Sequence, residues 1–336
     1  MDNFTHSLAG WALGQAGLKK TTRKGLAALI LGANMPDIDV IFGWVPWVPL
    51  ATHRGVTHGI GGMVVQPFLL AGALWALDRW QVSRGATFNS GLPMRFGWLL
   101  LLSMIGLATH PLLDFQNTYG VQLLSPWSDR WFAGDTLFII DVWIWTALTF
   151  AIWLSRRREK RGQAWRRPMW IAILGVTAYI SANCALSLIA ERATERQVEA
   201  AVRIDGAPAR FRDLPGIGYG GADPRYPDMA VAGEVPVEFW RREMIWRVDH
   251  RIGRADWTPW GGVALEPAVI DDGMRSPLID RAKARDPELA KFLRFARLPL
   301  AKAERVPAGT KVELGDARFD RIRAGFGRSV ILPPER

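Results

Sequence analysis

Histidine and aspartate recur in four short motifs of the N-terminal half: His6 in THSLAG, Asp37 and Asp39 in NMPDID, His53 and His58 in HRGVTHG, and His110 and Asp114 in HPLLDFQNTYG. Four of the five histidines are among them. Imidazole and carboxylate together suit Zn²⁺, with Mn²⁺ or Fe²⁺ as alternatives, and the single cysteine, Cys184, excludes a thiolate site. His110 and Asp114 stand four residues apart. On a helix that puts both on one face, where they reach one ion or Asp114 bridges two. Asp37 and Asp39 diverge if helical, so one is expected to ligate and the other to orient a histidine. His53 and His58 flank Arg54 and Gly55, which reads as a loop entering a helix capped by Thr52 or Thr57. The chemistry expected of such a set is metal-dependent hydrolysis.

The elements that carry these residues are apolar. Hydrophobic residues make up 49% of the 336, and five stretches, at 25–44, 60–77, 97–113, 137–154 and 169–190, come near the length that crosses a bilayer. A sixth, 4–18, is shorter and rich in small residues. A secretory signal peptide is not expected, because Asp2 precedes the apolar run and no basic segment leads it. The net charge of +10 is placed topologically. Lys19, Lys20, Arg23 and Lys24, then Arg79, Arg84 and Arg95, then Arg156, Arg157, Arg158, Lys160, Arg161, Arg166 and Arg167 fill alternate links, whereas the opposite links hold only Arg54 and Arg130. By the positive-inside rule the basic links face the cytoplasm, and nucleic acid is not expected as a partner. Trp44, Trp47, Trp127 and Trp131 then read as an aromatic belt on the outer side.

Ionisable residues inside such segments are costly and call for a partner or a function. At ~1.5 Å per helical residue, His6 lies about 20 Å from Lys19, Asp37 about 20 Å from Lys24, and His110 about 22 Å from Arg95. His58 falls at a similar level, and Asp135 and Asp141 lie within reach of it. One cluster near the outer leaflet is expected, assembled from distant segments. The fold class expected is a mainly α, polytopic transmembrane bundle over 1–190 followed by an extramembrane α+β domain over 191–336 on the outer side. In that tail, 231–240, 242–250 and 310–316 alternate like strands and 286–298 reads as a helix opened by Asp286 and Pro287. His250 stands alone there and reads as a surface residue.

The four motifs in this order resemble the YdjM-like family of bacterial inner-membrane proteins, described as metal-dependent hydrolases. The resemblance covers residues 1 to about 155 and continues more weakly into VEFWRREMIWRV of the tail. A more distant similarity links the same order to zinc-dependent phospholipases C and single-strand nucleases. It implies an α-helical phosphodiesterase-like centre in which His6, Asp37 or Asp39, His58, His110 and Asp114 are ligands and Asp114 is the bridge. Those enzymes carry two His-x-x-x-Asp pairs and this chain carries one, which implies one or two ions rather than three. Arg54 is then the expected catalytic cation, a guanidinium offering phosphate a bidentate fit, with a headgroup-facing anchor as the competing expectation. At that depth the expected substrate is a membrane lipid or a lipid-linked ester. A non-catalytic structural or regulatory metal site is the competing expectation. An ion or proton relay is disfavoured, because the ionisable residues stop near one face.

Overall fold

The structure, a computed structural model, describes residues 1–44, 54–211, 228–319 and 327–334. Two compact units divide the described residues: the first takes 1–44, 54–128 and 137–182, the second 129–136 and everything from 183 onward.

The first unit is helical: α1 (Asn3–Gln15), α2 (Gly25–Asn34), α3 (Ile60–Ser83), α4 (Phe96–Asp114), α5 (Val142–Lys160) and the first half of α6 (Arg166–Ala201). Among the described residues three helices, α3, α4 and α6, are long and apolar enough to cross a bilayer. The outward faces of α3 and α6 are apolar, with Val64, Phe68 and Leu174 all more than half exposed, the reverse of a helix on a water-soluble protein.

The stretch 25–44, whose apolar run is interrupted by NMPDID, is broken at that motif. Its α-helix stops after ten residues and a 3-10 segment, Met35–Trp44, follows. Pro36 lacks the N–H needed to continue a hydrogen-bonded ladder at that point. At ~1.5 Å per residue α1 and α2 rise only about 20 and 15 Å, short of a ~30 Å hydrocarbon core. The stretch 137–154 is also shifted. Its helix begins at Val142, because Asp141 caps it by accepting from the amides of Trp143 and Ile144, and its last turn is basic. Asp141 also accepts from Tyr179 Oη at 2.9 Å, so it belongs to this cap rather than to the polar cluster.

Glycines bring α1, α2 and α4 together. A Cβ on Gly106 would lie 2.4 Å from the carbonyl oxygen of Leu29, and one on Gly10 would lie 2.6 Å from the same atom. Small residues let backbones meet this closely, the usual means of packing helices where lipid offers no hydrophobic drive. Leu29, Leu99 and Leu102 fill the space beside this crossing, together with Leu70 and Leu74 of α3.

The main run of the second unit starts at Asn183, inside α6. The outer half of α6 carries polar groups that this unit uses: Arg242 donates to Asn183 Oδ1 at 2.9 Å and to Ser187 Oγ at 2.9 Å. A short hairpin, β1 (Arg203–Ile204) and β2 (Ala207–Pro208), leads to an antiparallel meander of β3 (Met229–Glu234), β4 (Arg242–Val248), β5 (Arg251–Thr258) and β6 (Gly262–Asp271). Two helices, α7 (Leu278–Arg285) and α8 (Pro287–Phe295), precede a three-stranded sheet of β7 (Pro299–Val306), β8 (Gly309–Asp316) and β9 (Gly327–Leu332). The run 231–240 is strand only as far as Glu234, since Pro236 cannot donate to a ladder.

Alternation buries both faces of β3 and β4, whereas β6 is largely exposed. Ala230, Ala232, Met244, Trp246 and Val248 pack against Ala190 and Val198 of α6, while Met229, Val231, Ile245 and Ile252 pack against Leu298 and Ala317. Two further expectations are corrected here. Trp131 is 2% exposed and packs on Phe295 at 5.0 Å, so it is a core residue of this unit and not part of an interfacial belt. His250 is not isolated: its Nδ1 lies 3.0 Å from Asp272, which also pairs with Arg247 at 2.9 Å. Arg247 and Asp272 are both buried. Arg247→Ala leaves a buried carboxylate short of its guanidinium, and a loss of roughly 3–5 kcal/mol is expected in denaturant unfolding of the full chain.

Candidate metal centre

The site forms where α4 meets the end of α2 and the segment leading into α3. His110 is on the penultimate turn of α4 and Asp114 is its last residue, one turn on, so their side chains share a face, 3.5 Å apart. Asp37 comes from the 3-10 segment just after α2, and His58 lies two residues before α3. The loop holding His58 is fixed on both sides. Gln122 N donates to Arg54 O, Ile60 N to Leu123 O, and Gln66 Nε2 to Thr57 O.

Hydrogen bonds on the far side of each imidazole set its tautomer. His110 Nδ1 lies 2.6 Å from Ala33 O, an acceptor only, so Nδ1 carries the proton. Pro36 has no N–H to close an i→i+3 bond onto that carbonyl, which leaves it available to His110. Thr57 Oγ1 lies 2.8 Å from Asp39 Oδ2 and 2.9 Å from His58 Nδ1. The hydroxyl therefore donates to the carboxylate and accepts from His58 Nδ1–H. In both rings the lone pair is then on Nε2, the arrangement by which outer groups orient metal-binding histidines.

Those two Nε2 atoms face each other at 3.1 Å. Asp37 Oδ1 lies 3.4 Å from His58 Nε2 and 3.3 Å from His110 Nε2, and Asp114 Oδ2 lies 3.5 Å from each. All four ligand atoms fall within 4.8 Å of one another. A tetrahedron with Zn–N and Zn–O arms of ~2.0–2.1 Å has edges of roughly 3.3 Å, and these five separations are of the size that a small divalent cation needs. With the tautomers assigned above, two imidazole lone pairs and two carboxylate oxygens face one another. A cation is the natural complement.

Asp114 has a second oxygen turned the other way. Oδ1 lies 3.3 Å from His6 Nε2 and contacts the amino group of Met1. His6 is fully buried, stacks on His110 with ring centroids 3.7 Å apart, and neither of its ring nitrogens has a hydrogen-bond partner. The Met1 amino group already covers Asp114 Oδ1, so a second ion held by His6 and Asp114 would have to displace that contact.

Arg54 is held rather than free. Its Nε lies 3.2 Å from Asp114 Oδ2, and one terminal nitrogen donates to Asn117 Oδ1 at 3.0 Å. The residue is 7% exposed and has a φ of 69°, a left-handed backbone uncommon for arginine. Asp39 receives Thr57 Oγ1 and the Arg54 amide, and its Oδ2 is 3.6 Å from His58 Nδ1, so it stands behind His58 rather than at the ligand point. His53 lies outside the described residues. Asp135 is in the other unit, paired with Arg297 at 2.6 Å.

The family of inner membrane proteins described as YdjM matches residues 1–189, more than half the chain. The chain belongs to the YdjM inner membrane protein family. As a YdjM member it is a membrane protein with a His/Asp group able to hold a metal ion. The match ends at 189, so the likeness of VEFWRREMIWRV in the tail lies beyond it. The chain is also similar to the uncharacterized protein YfhP of Bacillus subtilis (strain 168), 26% identical over 167 residues, which are 46% of this chain and 47% of the relative. The chain thus spans about half the length of that relative. No solved structure matches.

Two groups of the YdjM site escaped the sequence reading. Thr52 or Thr57 is the cap that the sequence suggests for α3, yet the N-cap is Gly59 and Thr57 links Asp39 to His58, while Thr52 lies outside the described residues. Asn117 is buried and anchors Arg54. Its signal was its place three residues after Asp114 in HPLLDFQNTYG. Thr57→Val removes the acceptor that fixes the His58 tautomer while keeping its shape. The expected result is a drop of about 10–100-fold in zinc affinity, read by competition with a chromogenic chelator. An unchanged affinity would mean that Asp39 alone orients His58.

Proposed function

We propose that this YdjM protein is a metal-dependent hydrolase of the bacterial inner membrane, with its centre toward the outer side, cleaving an ester or phosphodiester of a lipid or lipid-linked substrate. The observation that carries this reading is the convergence of His58, His110, Asp37 and Asp114, with the second Asp114 oxygen turned to His6. Zinc is the favoured metal for two imidazoles and two carboxylates at these separations. Bound there, a divalent cation supplies Lewis-acid polarisation of the ester oxygen and makes water acidic enough to act as nucleophile near neutral pH.

The chain's own residues do the rest. Asp114 joins the two positions. Arg54, fixed by Asp114 and Asn117, holds that carboxylate and adds a positive charge beside the point where charge develops on the substrate. Alternation of basic links around α3, α4, α5 and α6 supports a multi-pass topology with the second unit in the periplasm. The site's depth, near the ends of these helices opposite the basic links, supports a substrate that stays in the leaflet.

A second reading has its own support. Four protein ligands at tetrahedral spacing are the pattern of a structural zinc site, whereas catalytic sites keep a position open. The His6 side of Asp114, with one imidazole and one oxygen, supplies that open position only if a second ion binds. The test is metal content by mass spectrometry on protein purified in detergent, with headgroup and phosphate release measured on a panel of phospholipids. Bound metal with turnover abolished by a chelator supports the hydrolase. Stoichiometric metal without turnover on any ester or phosphodiester gives the structural reading the lead.

A further inference from the structure

Away from the metal centre, an open furrow of about 710 Å³ runs between α1 and α5. Its apolar walls are Phe4, Leu8 and Trp11 of α1 with Ile152 and Trp153 of α5. At one end stand four cations, Arg156, Arg157, Lys160 and Arg161, and no acid lines it. Glu159, the acid nearest in sequence, is engaged by Lys19 and, at 3.5 Å, by Lys20. Two of the guanidiniums are seated on the furrow's own rings, Arg156 at 5.5 Å from the Trp11 centroid and Arg157 at 5.4 Å from that of Trp153. Stacking of this kind holds a charge in place without neutralising it.

A groove that is apolar along its length and cationic at one end is complementary to an amphiphile with an anionic head. The basic end belongs to the links that the positive-inside rule gives to the cytoplasm, where anionic lipids meet such clusters. We propose that the α1–α5 furrow is a binding site for one anionic phospholipid, its acyl chain along Phe4, Leu8 and Trp153 and its phosphate among Arg156, Arg157, Lys160 and Arg161. Charge complementarity chooses this occupant. A zwitterionic headgroup brings its own ammonium into a ring of four cations, inorganic phosphate leaves the apolar length unfilled, and a second copy of this chain would bring the same cations against themselves. Guanidinium forks match the geometry of a phosphate's oxygens. The site is independent of the hydrolase reading.

Native mass spectrometry of the full chain, titrated with phosphatidylglycerol or phosphatidylcholine, tests it. The expected result is a first phosphatidylglycerol bound about tenfold tighter than phosphatidylcholine, a preference abolished in Arg156→Gln/Arg157→Gln/Arg161→Gln. The matched variant Arg79→Gln/Arg84→Gln/Arg95→Gln removes the same charge from another basic link and is expected to keep the preference. Equal affinities for the two lipids in wild type would overturn the proposal. So would equal loss in both triple variants, which would make the effect diffuse electrostatics, or displacement of the lipid by millimolar inorganic phosphate, which would make the site one for a free anion. A dimer that forms in place of the lipid adduct and is lost in the first triple variant would also overturn it.

Discussion

His110→Ala is expected to abolish metal binding by the purified protein. The side chain supplies one of four converging ligand atoms, and its ring also supports His6, on which it stacks. Changing a group that merely orients a ligand costs ~10–100-fold in affinity, so loss of the ligand itself should exceed about 100-fold. The measurement is metal per chain after dialysis, on wild type and variant side by side, with phospholipid hydrolysis followed in parallel. If turnover is found in wild type, it should disappear with the metal. Full metal content in the variant would sink the assignment of His110 as a ligand and leave the His58–His110 contact as hydrogen-bonded packing.

Gly106→Ala is the second change with a large expected effect, although residue 106 touches no ligand. The added methyl would sit 2.4 Å from Leu29 O and 3.0 Å from Leu29 Cα, both backbone atoms that no rotamer change can move aside. Helices α2 and α4 must separate, and overpacking of this kind costs about 1–3 kcal/mol or more. Separation also pulls His110 from Ala33 O and from Asp37, since both of those belong to the α2 end. A fall in zinc affinity of at least about tenfold is expected, on the scale of losing an orienting group. Gly97→Ala is the control on the same helix: nothing lies within 4 Å of its Cβ position, and alanine is the better helix former. Equal metal affinity in both variants would show that the α2–α4 crossing does not hold the site together.

Much of the site was legible before any fold was known, because burying a charge in an apolar segment is so costly that it rarely occurs without cause. Counting each segment from its own basic anchor put His6, Asp37, His58 and His110 at one level, and the four lie together in one cluster with Asp114. Depth, however, says nothing about side-chain direction. Asp37 and Asp39 share a turn of sequence, yet only Asp37 reaches the ligand point, because the 3-10 segment after Pro36 turns Asp39 toward Thr57. Arg54 reads from the sequence as an anion clamp or a headgroup-facing anchor, and the fold ties it to Asp114 and Asn117. Trp131 carried the composition of an interfacial residue and proved to be core, since its segment folds with the second unit rather than lying on a membrane surface.

What the sequence determined by itself was the solvent, the candidate ligand types and their order along the chain. Hydropathy, charge asymmetry and the scarcity of cysteine are sums over residues, and sums do not need a fold. What only the tertiary structure decided was which oxygen meets which nitrogen. The Ala33 carbonyl that sets the His110 tautomer is 77 residues away in sequence, and the Nε2 of His58 that faces it is 52 away. Such separations are closed by glycine contacts between helices and by the loop bonds from 54–61 to 120–125, and their geometry is accurate to a fraction of an ångström only when the whole unit is packed.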